Sequence, residues 1–233
     1  MERDVEEALF QVFELEASAA EEQKKRGGEQ DRGRRSGVTA GRHMDPLAEC
    51  IASRLASYGL KRENILAGRS GMEIPGWFRP NKQWDILAFC RESLVAAIEL
   101  KSIGSSYGNN FNNRTEEALG SATDASAAVR YGMFPQTQPP MFGYVMVVRS
   151  DAKSRSVIRH VPEPHFAVDP VFGNGSYLDR FRILCTRMLS ERIYDAIWLV
   201  FVDTDNHTID EPVRELSFEK FMLRLKMQTE IFG

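Results

Sequence analysis

Hydrophobic residues recur along the chain at helical spacing in some segments and form short unbroken runs in others. The first helical segment covers residues 4–21, where Val5, Leu9 and Val12 share one face. Similar spacing predicts further helices over residues 45–58, 114–130, 177–194 and from 218 onward. The unbroken runs predict strands over residues 84–89, 94–101, 142–148 and 197–202. This alternation predicts an α/β fold with a mixed β-sheet flanked by helices.

The segments between these elements carry turn residues. Residues 90–93 are few enough to join the first two strands as an antiparallel hairpin. Residues 68–80 are rich in Gly, Pro and Arg and predict a loop. The asparagine-rich residues 109–113 predict another loop, in which Asn113 caps the next helix with Glu116 as its capping-box partner.

The length and composition are those of an ordinary globular protein. The 233 residues suffice for one domain with an appended arm. A formal net charge of −3 argues against a uniformly basic nucleic-acid coat, but it allows a local basic groove. The cysteines and histidines lack zinc-site spacing, which predicts reduced thiols in a cytoplasmic protein. No apolar run is long enough to cross a bilayer, so no membrane association is expected.

Two carboxylates and an ammonium lie at the ends of the first two predicted strands. Glu99 and Lys101 are two residues apart, so their side chains point to one face of a strand, and Asp85 can reach the same place from the neighbouring strand. Carboxylates suit Mg²⁺, which polarises a phosphate and activates water, while a lysine orients or deprotonates that water. We therefore expect a phosphodiesterase centre with Asp85, Glu99 and the Leu100 carbonyl as metal ligands and Lys101 as a catalytic residue.

This spacing alone is common by chance, and purely structural roles for the same three residues stay open. An aspartate at a strand end is often a turn former, and a Glu-x-Lys pair is often solvated. The chain would then be a non-catalytic DNA-binding or interaction module. The apolar residues around the trio favour the catalytic hypothesis, because buried strands rarely hold charges without need. A nuclease on this core could select DNA sequence, or could act in repair or recombination on DNA structure.

Three segments resemble the XhoI family of type II restriction endonucleases, within the PD-(D/E)XK superfamily. They are Lys82-Gln83-Trp84-Asp85, Glu99-Leu100-Lys101-Ser102 and the asparagine-rich run 108–118, and the similarity is strongest over residues 82–124. The resemblance implies a restriction-endonuclease-like core. By position, Asp85 and Glu99 would hold the metal and Lys101 would be the catalytic lysine. Trp84 stands where the superfamily often has proline, which leaves this assignment unchanged.

The resemblance also implies an activity and partners. It implies a Mg²⁺-dependent homodimer that cuts double-stranded DNA at CTCGAG after the first C, leaving 5′ overhangs and 5′-phosphate ends. A cognate DNA methyltransferase would protect the same site. We expect residues 1–44 to form an N-terminal helix and basic arm, and residues 45–233 to form one PD-(D/E)XK endonuclease domain.

Polar residues after the second and third predicted strands are candidates for DNA contacts. Arginine and lysine suit guanine, asparagine and glutamine suit adenine, and each subunit of a twofold dimer would read one half-site. The candidates are Ser105, Tyr107, Asn109, Asn110, Asn112, Asn113, Arg114, Arg149, Lys153 and Arg155. Some asparagines could instead satisfy turn backbones, and the basic residues could form a solvated loop.

Weaker candidates lie elsewhere. Residues 24–37, which include Arg26, Arg32, Arg34 and Arg35, form either a disordered linker or an arm that orders on DNA. Arg69, Arg79 and Lys82 are candidates for phosphate contacts near the metal. Glu49 and Glu73 could add a metal ligand, although a solvated glutamate is the simpler interpretation.

Overall fold

The computed structural model describes residues 1–25, 42–68, 72–158 and 165–233. The strands are β1 (Ile65–Ala67), β2 (Glu73–Pro75), β3 (Asn81–Gln83), β4 (Ile86–Cys90), β5 (Ser93–Ile103), β6 (Met141–Arg149), β7 (Ala196–Asp203) and β8 (Thr208–Asp210). Six of them form one sheet in the order β1-β4-β5-β6-β7-β8, and β2 and β3 form a separate hairpin. The β5–β6 and β6–β7 pairs are parallel and the other pairs are antiparallel.

Helices cover both faces of this sheet. They are α1 (Arg3–Lys25), α2 (Asp45–Ser57), α3 (Tyr107–Arg130), α4 (Tyr177–Ser190) and α5 (Phe218–Phe232), with short 3₁₀ turns at Arg42–Met44, Arg62–Asn64, Pro170–Phe172 and Arg214–Leu216. One buried cluster joins the sheet to α1, α2 and α5, and a second joins it to α3 and α4. The predicted α/β fold with a mixed sheet is therefore confirmed. In the described residues, no helix is long and apolar enough to cross a membrane.

Strand alternation explains the two clusters. Along β5, Ala96, Ile98 and Leu100 face the first cluster, while Ala97 and Ile103 face the second. Glu99 and Lys101 share the orientation of the second set. The Glu99 and Lys101 side chains therefore lie on the side of the sheet that α3 covers.

The N-terminal helix α1 belongs to the core. Val5, Leu9 and Val12 are fully buried in the cluster that includes α2, and Arg54 of α2 pairs with Asp4 at 2.8 Å. The placement of a domain boundary at residue 44 stays a prediction. The basic arm with Arg26, Arg32, Arg34 and Arg35 lies outside the described residues, as does Arg69.

The antiparallel hairpin predicted between β4 and β5 is confirmed, and its turn has two residues, Arg91 and Glu92. Cys90 pairs with Ser93, and Arg91 in the turn has a φ of 54°. Positive φ in such a turn matches the right-handed twist of the flanking strands. The prediction of a loop over residues 68–80 was wrong in part, because β2 lies within this range and pairs with β3.

The predicted start of α3 was wrong. The helix begins at Tyr107 instead of Arg114, so Asn109 to Asn113 lie in its first turns and Asn113 is not its cap. Ser106 occupies the cap position with a φ of 51° and no side-chain cap bond. The low helix propensity of asparagine is overridden by tertiary contacts, since the Tyr107 ring is buried and anchors this end of the helix.

The β2–β3 hairpin is attached to α3 through Asp124. This carboxylate is 3% exposed and accepts hydrogen bonds from the Trp77 and Phe78 N–H groups, at 2.8 and 2.7 Å, and from Arg79 Nε at 2.7 Å. Trp77 also stacks on Tyr131 at a ring separation of 3.9 Å. Arg79, a candidate for a phosphate contact, therefore has a structural partner.

We expect Asp124→Ala to lower the free energy of unfolding by about 2–3 kcal/mol, because it leaves two backbone N–H groups and a guanidinium without their acceptor. Urea unfolding at neutral pH measures this change. The control Asp210→Ala removes an exposed carboxylate and should change stability by less than about 0.5 kcal/mol. Equal effects of the two substitutions would contradict this role of Asp124.

Candidate active site

The β4–β5 pairing places Asp85 next to Glu99. Ile86 pairs with Ile98, and the Asp85 N–H donates to the Ile98 carbonyl at 3.1 Å. Continuing this register by one residue sets Asp85 opposite Glu99, so both side chains lie on one face of the sheet. The Asp85 Oδ2 also accepts a hydrogen bond from the Leu100 N–H at 2.7 Å. Both predicted carboxylates therefore meet beside the centre of β5.

Two lysines surround the Glu99 carboxylate. Lys101 pairs with Oε1 from the same strand, and Lys82 of β3 pairs with Oε2 at 2.5 Å. Lys82 also donates to the Gln83 carbonyl at 2.8 Å, and its Nζ lies 4.3 Å from the centroid of the Trp84 ring. From the sequence, Lys82 is only a weak candidate for a phosphate contact near the metal. Its place three residues before Asp85, within a segment that resembles the family, was the available signal.

Burial and nearby charges shift the pKa values of the two carboxylates in opposite directions. Burial raises the pKa of Asp85 to about 6, and the negative charge of Glu99 adds to this effect. Burial also disfavours the charged form of Glu99, but Lys101 and Lys82 outweigh it and hold the pKa of Glu99 below its ordinary value. Burial acts against the charge of Lys101, yet Glu99 and Asp85 raise its pKa. Glu99 is thus the member of the pair that ionises more readily.

The donor atoms fit a hard divalent cation. Asp85 and Glu99 supply carboxylate oxygens, and the Leu100 carbonyl belongs to the residue whose N–H Asp85 binds. Within the described ranges, no group of three or more His, Cys, Asp or Glu is placed to hold a metal. Mg²⁺ commonly takes one or two carboxylates and fills its other positions with water and phosphate oxygens. The site fits that pattern.

Sequence similarity identifies the family to which the chain belongs. The sequence matches the family described as restriction endonuclease XhoI over residues 22–211, most of the chain. The chain belongs to the XhoI restriction endonuclease family. It is accordingly an enzyme of the type II restriction class, a site-specific deoxyribonuclease.

Similar proteins in three bacteria cover most of the chain. The chain is 41% identical over 185 residues to the type II restriction enzyme XhoI of Xanthomonas vasicola. This match covers 78% of this chain and 72% of that protein. It is 36% identical over 204 residues to BstVI of Geobacillus stearothermophilus, with shares of 84% and 90%. It is 38% identical over 170 residues to AbrI of Azospirillum brasilense, with shares of 71% and 73%. No solved structure matches the chain significantly.

In this member of the XhoI family, the asparagine-rich run is the exposed first part of α3. Asn109, Asn112 and Asn113 are exposed. Asn110 is half-buried and donates to the Ser105 carbonyl at 2.6 Å, while Arg114 pairs with Glu117. The exposed residues recur three to four positions apart and so lie on one side of the helix.

Tyr107 is placed differently from the prediction. Its side chain is 1% exposed, and its hydroxyl donates to Asp151 at 2.7 Å. Asp151 also accepts a hydrogen bond from the Ser154 N–H. This burial argues against the predicted DNA contact, because the hydroxyl is already used to fix the start of α3. Ser105, by contrast, is exposed.

The basic residues at and after the end of β6 lie at the edge where the parallel strands end. Arg149 is 3.5 Å from Asp205, and Arg155 pairs with Asp203 and donates to the Ser150 carbonyl at 3.0 Å. Lys153 is exposed. Arg155 therefore has a structural partner, although about half of its side chain remains accessible.

The two additional glutamates have partners elsewhere. Glu49 pairs with Arg62 at 2.6 Å, and Glu73 accepts a hydrogen bond from Asn81 at 2.6 Å. Both are exposed and make local contacts. Neither is brought to the Asp85–Glu99 pair.

We expect Asp85→Asn to stabilise the metal-free protein at pH 8 by up to about 3 kcal/mol, because the folded state raises the pKa of this carboxyl from 3.8 to about 6. The Asp85 carboxyl makes its full contribution to the free energy of unfolding below about pH 4, and this contribution is lost as the pH rises through about 6. Glu99→Gln should act oppositely and destabilise the protein at pH 8. Urea unfolding in EDTA at pH 4 and pH 8 measures both. An equal effect of Asp85→Asn at the two pH values would refute this account.

Proposed function

We propose that this protein is a Mg²⁺-dependent type II restriction endonuclease that cleaves double-stranded DNA at CTCGAG after the first C, leaving 5′ overhangs and 5′-phosphate ends. The observation that carries the proposal is the meeting of Asp85, Glu99 and Lys101 on one face of the sheet in a member of the XhoI family. The proposed target sequence rests on the resemblance to the XhoI family. The chemistry rests on the site itself.

Each side chain has a separate proposed role in hydrolysis. Asp85, Glu99 and the Leu100 carbonyl would hold Mg²⁺, which when bound stabilises negative charge on the phosphate and lowers the pKa of a water ligand. Lys101 carries a raised pKa, so it acts as a charged donor. It orients the attacking water and offsets negative charge on the phosphate. The attacking water releases a proton to solvent as its oxygen joins the phosphorus, the bond to the 3′ oxygen breaks, and that oxygen takes up a proton from solvent. The products are a 3′-hydroxyl and a 5′-phosphate.

The start of α3 is the proposed base-reading element. It follows β5 after three residues, so the exposed Asn109, Asn112 and Asn113 lie close to the catalytic strand. An α-helix fits the major groove, where asparagine pairs with adenine through two hydrogen bonds. Asn110 and Arg114 already have partners within the chain, so their main proposed role is to fix the shape of this surface. Ser105, Arg149, Lys153 and Arg155 are the proposed phosphate contacts.

A palindromic target favours a homodimer. Two subunits related by a twofold axis can place identical reading helices and catalytic sites on the two half-sites. A cognate DNA methyltransferase acting on the same sequence would protect the host DNA. Both partners follow from the proposed activity.

We expect Asp85→Ala, Glu99→Ala and Lys101→Ala each to reduce cleavage at least about 1000-fold while DNA binding persists, because each removes charge stabilisation at the reacting phosphate. Digestion of a sequenced phage genome with Mg²⁺, followed by end sequencing, gives the site, cut position and overhang. The control Lys61→Ala removes an exposed lysine. Smeared products or cutting at branched DNA would contradict a restriction enzyme, and full activity in Asp85→Ala would contradict the catalytic site.

We expect Asn113→Ala to lower cleavage about 10- to 100-fold at the cognate site and to weaken discrimination at one base pair, since a bidentate asparagine–adenine pair contributes about 1–3 kcal/mol. Competition cleavage of duplexes with every single substitution measures the discrimination. Ser126→Ala, an exposed position farther along α3, should leave the profile unchanged. An unchanged profile for single substitutions at Asn109, Asn112 and Asn113 would exclude this face from base reading.

A further inference from the structure

Lys82 is held at the catalytic centre by an element outside the main sheet. It lies on β3, where Ile74 of β2 is its register partner. Its side chain is 11% exposed, against 22% for Lys101. Glu99, the Gln83 carbonyl and the Trp84 ring surround its ammonium group. A lysine with so many contacts is unusual, since lysine is among the residue types least often buried.

The charges around Glu99 balance without any ion. Asp85 and Glu99 contribute two negative charges when ionised, and Lys82 and Lys101 contribute two positive charges. A divalent cation that binds beside Glu99 therefore meets repulsion from both lysines. A DNA phosphate brought to the same place adds a negative charge and offers Lys82 a second partner. The arrangement thus favours the cation more strongly when DNA is present.

Lys82 and Lys101 differ in ways that assign this effect to Lys82. Lys101 is two residues from Glu99 on the same strand and is a predicted catalytic residue. Lys82 comes from a hairpin that Asp124 attaches to α3, the proposed base-reading helix. Its ammonium pairs with Oε2 of Glu99, whereas Lys101 pairs with Oε1.

We propose that Lys82 is a positioning residue that makes divalent-metal binding depend on bound DNA. Its ammonium holds Glu99 and weakens cation binding to the free protein, and the DNA phosphate removes this penalty. This inference rests on the proposed function, because it takes Glu99 as a metal ligand. By thermodynamic linkage, the metal strengthens DNA binding by the same factor as DNA strengthens metal binding.

The test measures binding of Ca²⁺, which also prefers oxygen ligands, in place of Mg²⁺. Calorimetry gives the Ca²⁺ dissociation constant for the free protein and for its complex with a duplex containing CTCGAG, with the duplex checked on a gel for integrity. Wild-type protein should bind Ca²⁺ at least about tenfold more tightly with DNA than without it. Lys82→Met keeps the aliphatic chain but removes the charge. It should strengthen Ca²⁺ binding to the free protein about tenfold and reduce the dependence on DNA.

Two controls separate charge from structure. Lys82→Arg keeps the charge and should retain the dependence on DNA. Lys61→Met removes an exposed lysine, 77% accessible, and should bind Ca²⁺ as the wild type does. A purely structural role of Lys82 would lower the unfolding temperature of Lys82→Met without tightening Ca²⁺ binding, and that result would overturn the inference.

Failure of the proposed function has a different signature. Glu99→Gln should abolish the calorimetric Ca²⁺ signal if Glu99 is a metal ligand. If Glu99→Gln binds Ca²⁺ normally, both the metal site and the role of Lys82 are wrong. If Glu99→Gln loses binding but Lys82→Met behaves as wild type, only the inference about Lys82 is overturned.

Discussion

Two carboxylates that face each other across the β4–β5 pairing form the constraint on which this side of the sheet depends. Asp85 and Glu99 cannot both be ionised in a buried place without compensation. The Leu100 N–H binds one of them, and two ammonium groups bind the other. One ammonium comes from β5 itself and the other from the β2–β3 hairpin. The neutralisation of Glu99 therefore depends in part on where this small hairpin lies.

The sequence was sufficient to predict the elements with strong hydrophobic patterns. The central strands, their hairpin and the mixed sheet followed from apolar runs, and the trio followed from its spacing at strand ends. Asp85 opposite Glu99 required only that two adjacent strands pair without a shift at that point. Local rules were adequate there because buried strands leave little choice of register.

Other parts depended on contacts distant in sequence. The start of α3 is set by Tyr107, whose hydroxyl reaches Asp151. The place of Lys82 is set by Asp124, which lies far later in the chain. Short strands such as β2 and β3 lack a pattern long enough to detect. Side chains that bridge separate elements are invisible to periodicity, and the error at the start of α3 arose at such a bridge.

The attachment of the hairpin to α3 has a mechanical consequence. Asp124 lies well inside the helix whose first turns carry the exposed asparagines, and its carboxylate accepts three hydrogen bonds from the hairpin tip. The same hairpin carries Lys82 to Glu99. A tilt of α3 would therefore shift the ammonium beside Glu99 unless those three bonds break. Substitutions that reposition this helix are therefore expected to disturb the contact between Lys82 and Glu99, whereas changes confined to its exposed side chains leave that contact in place.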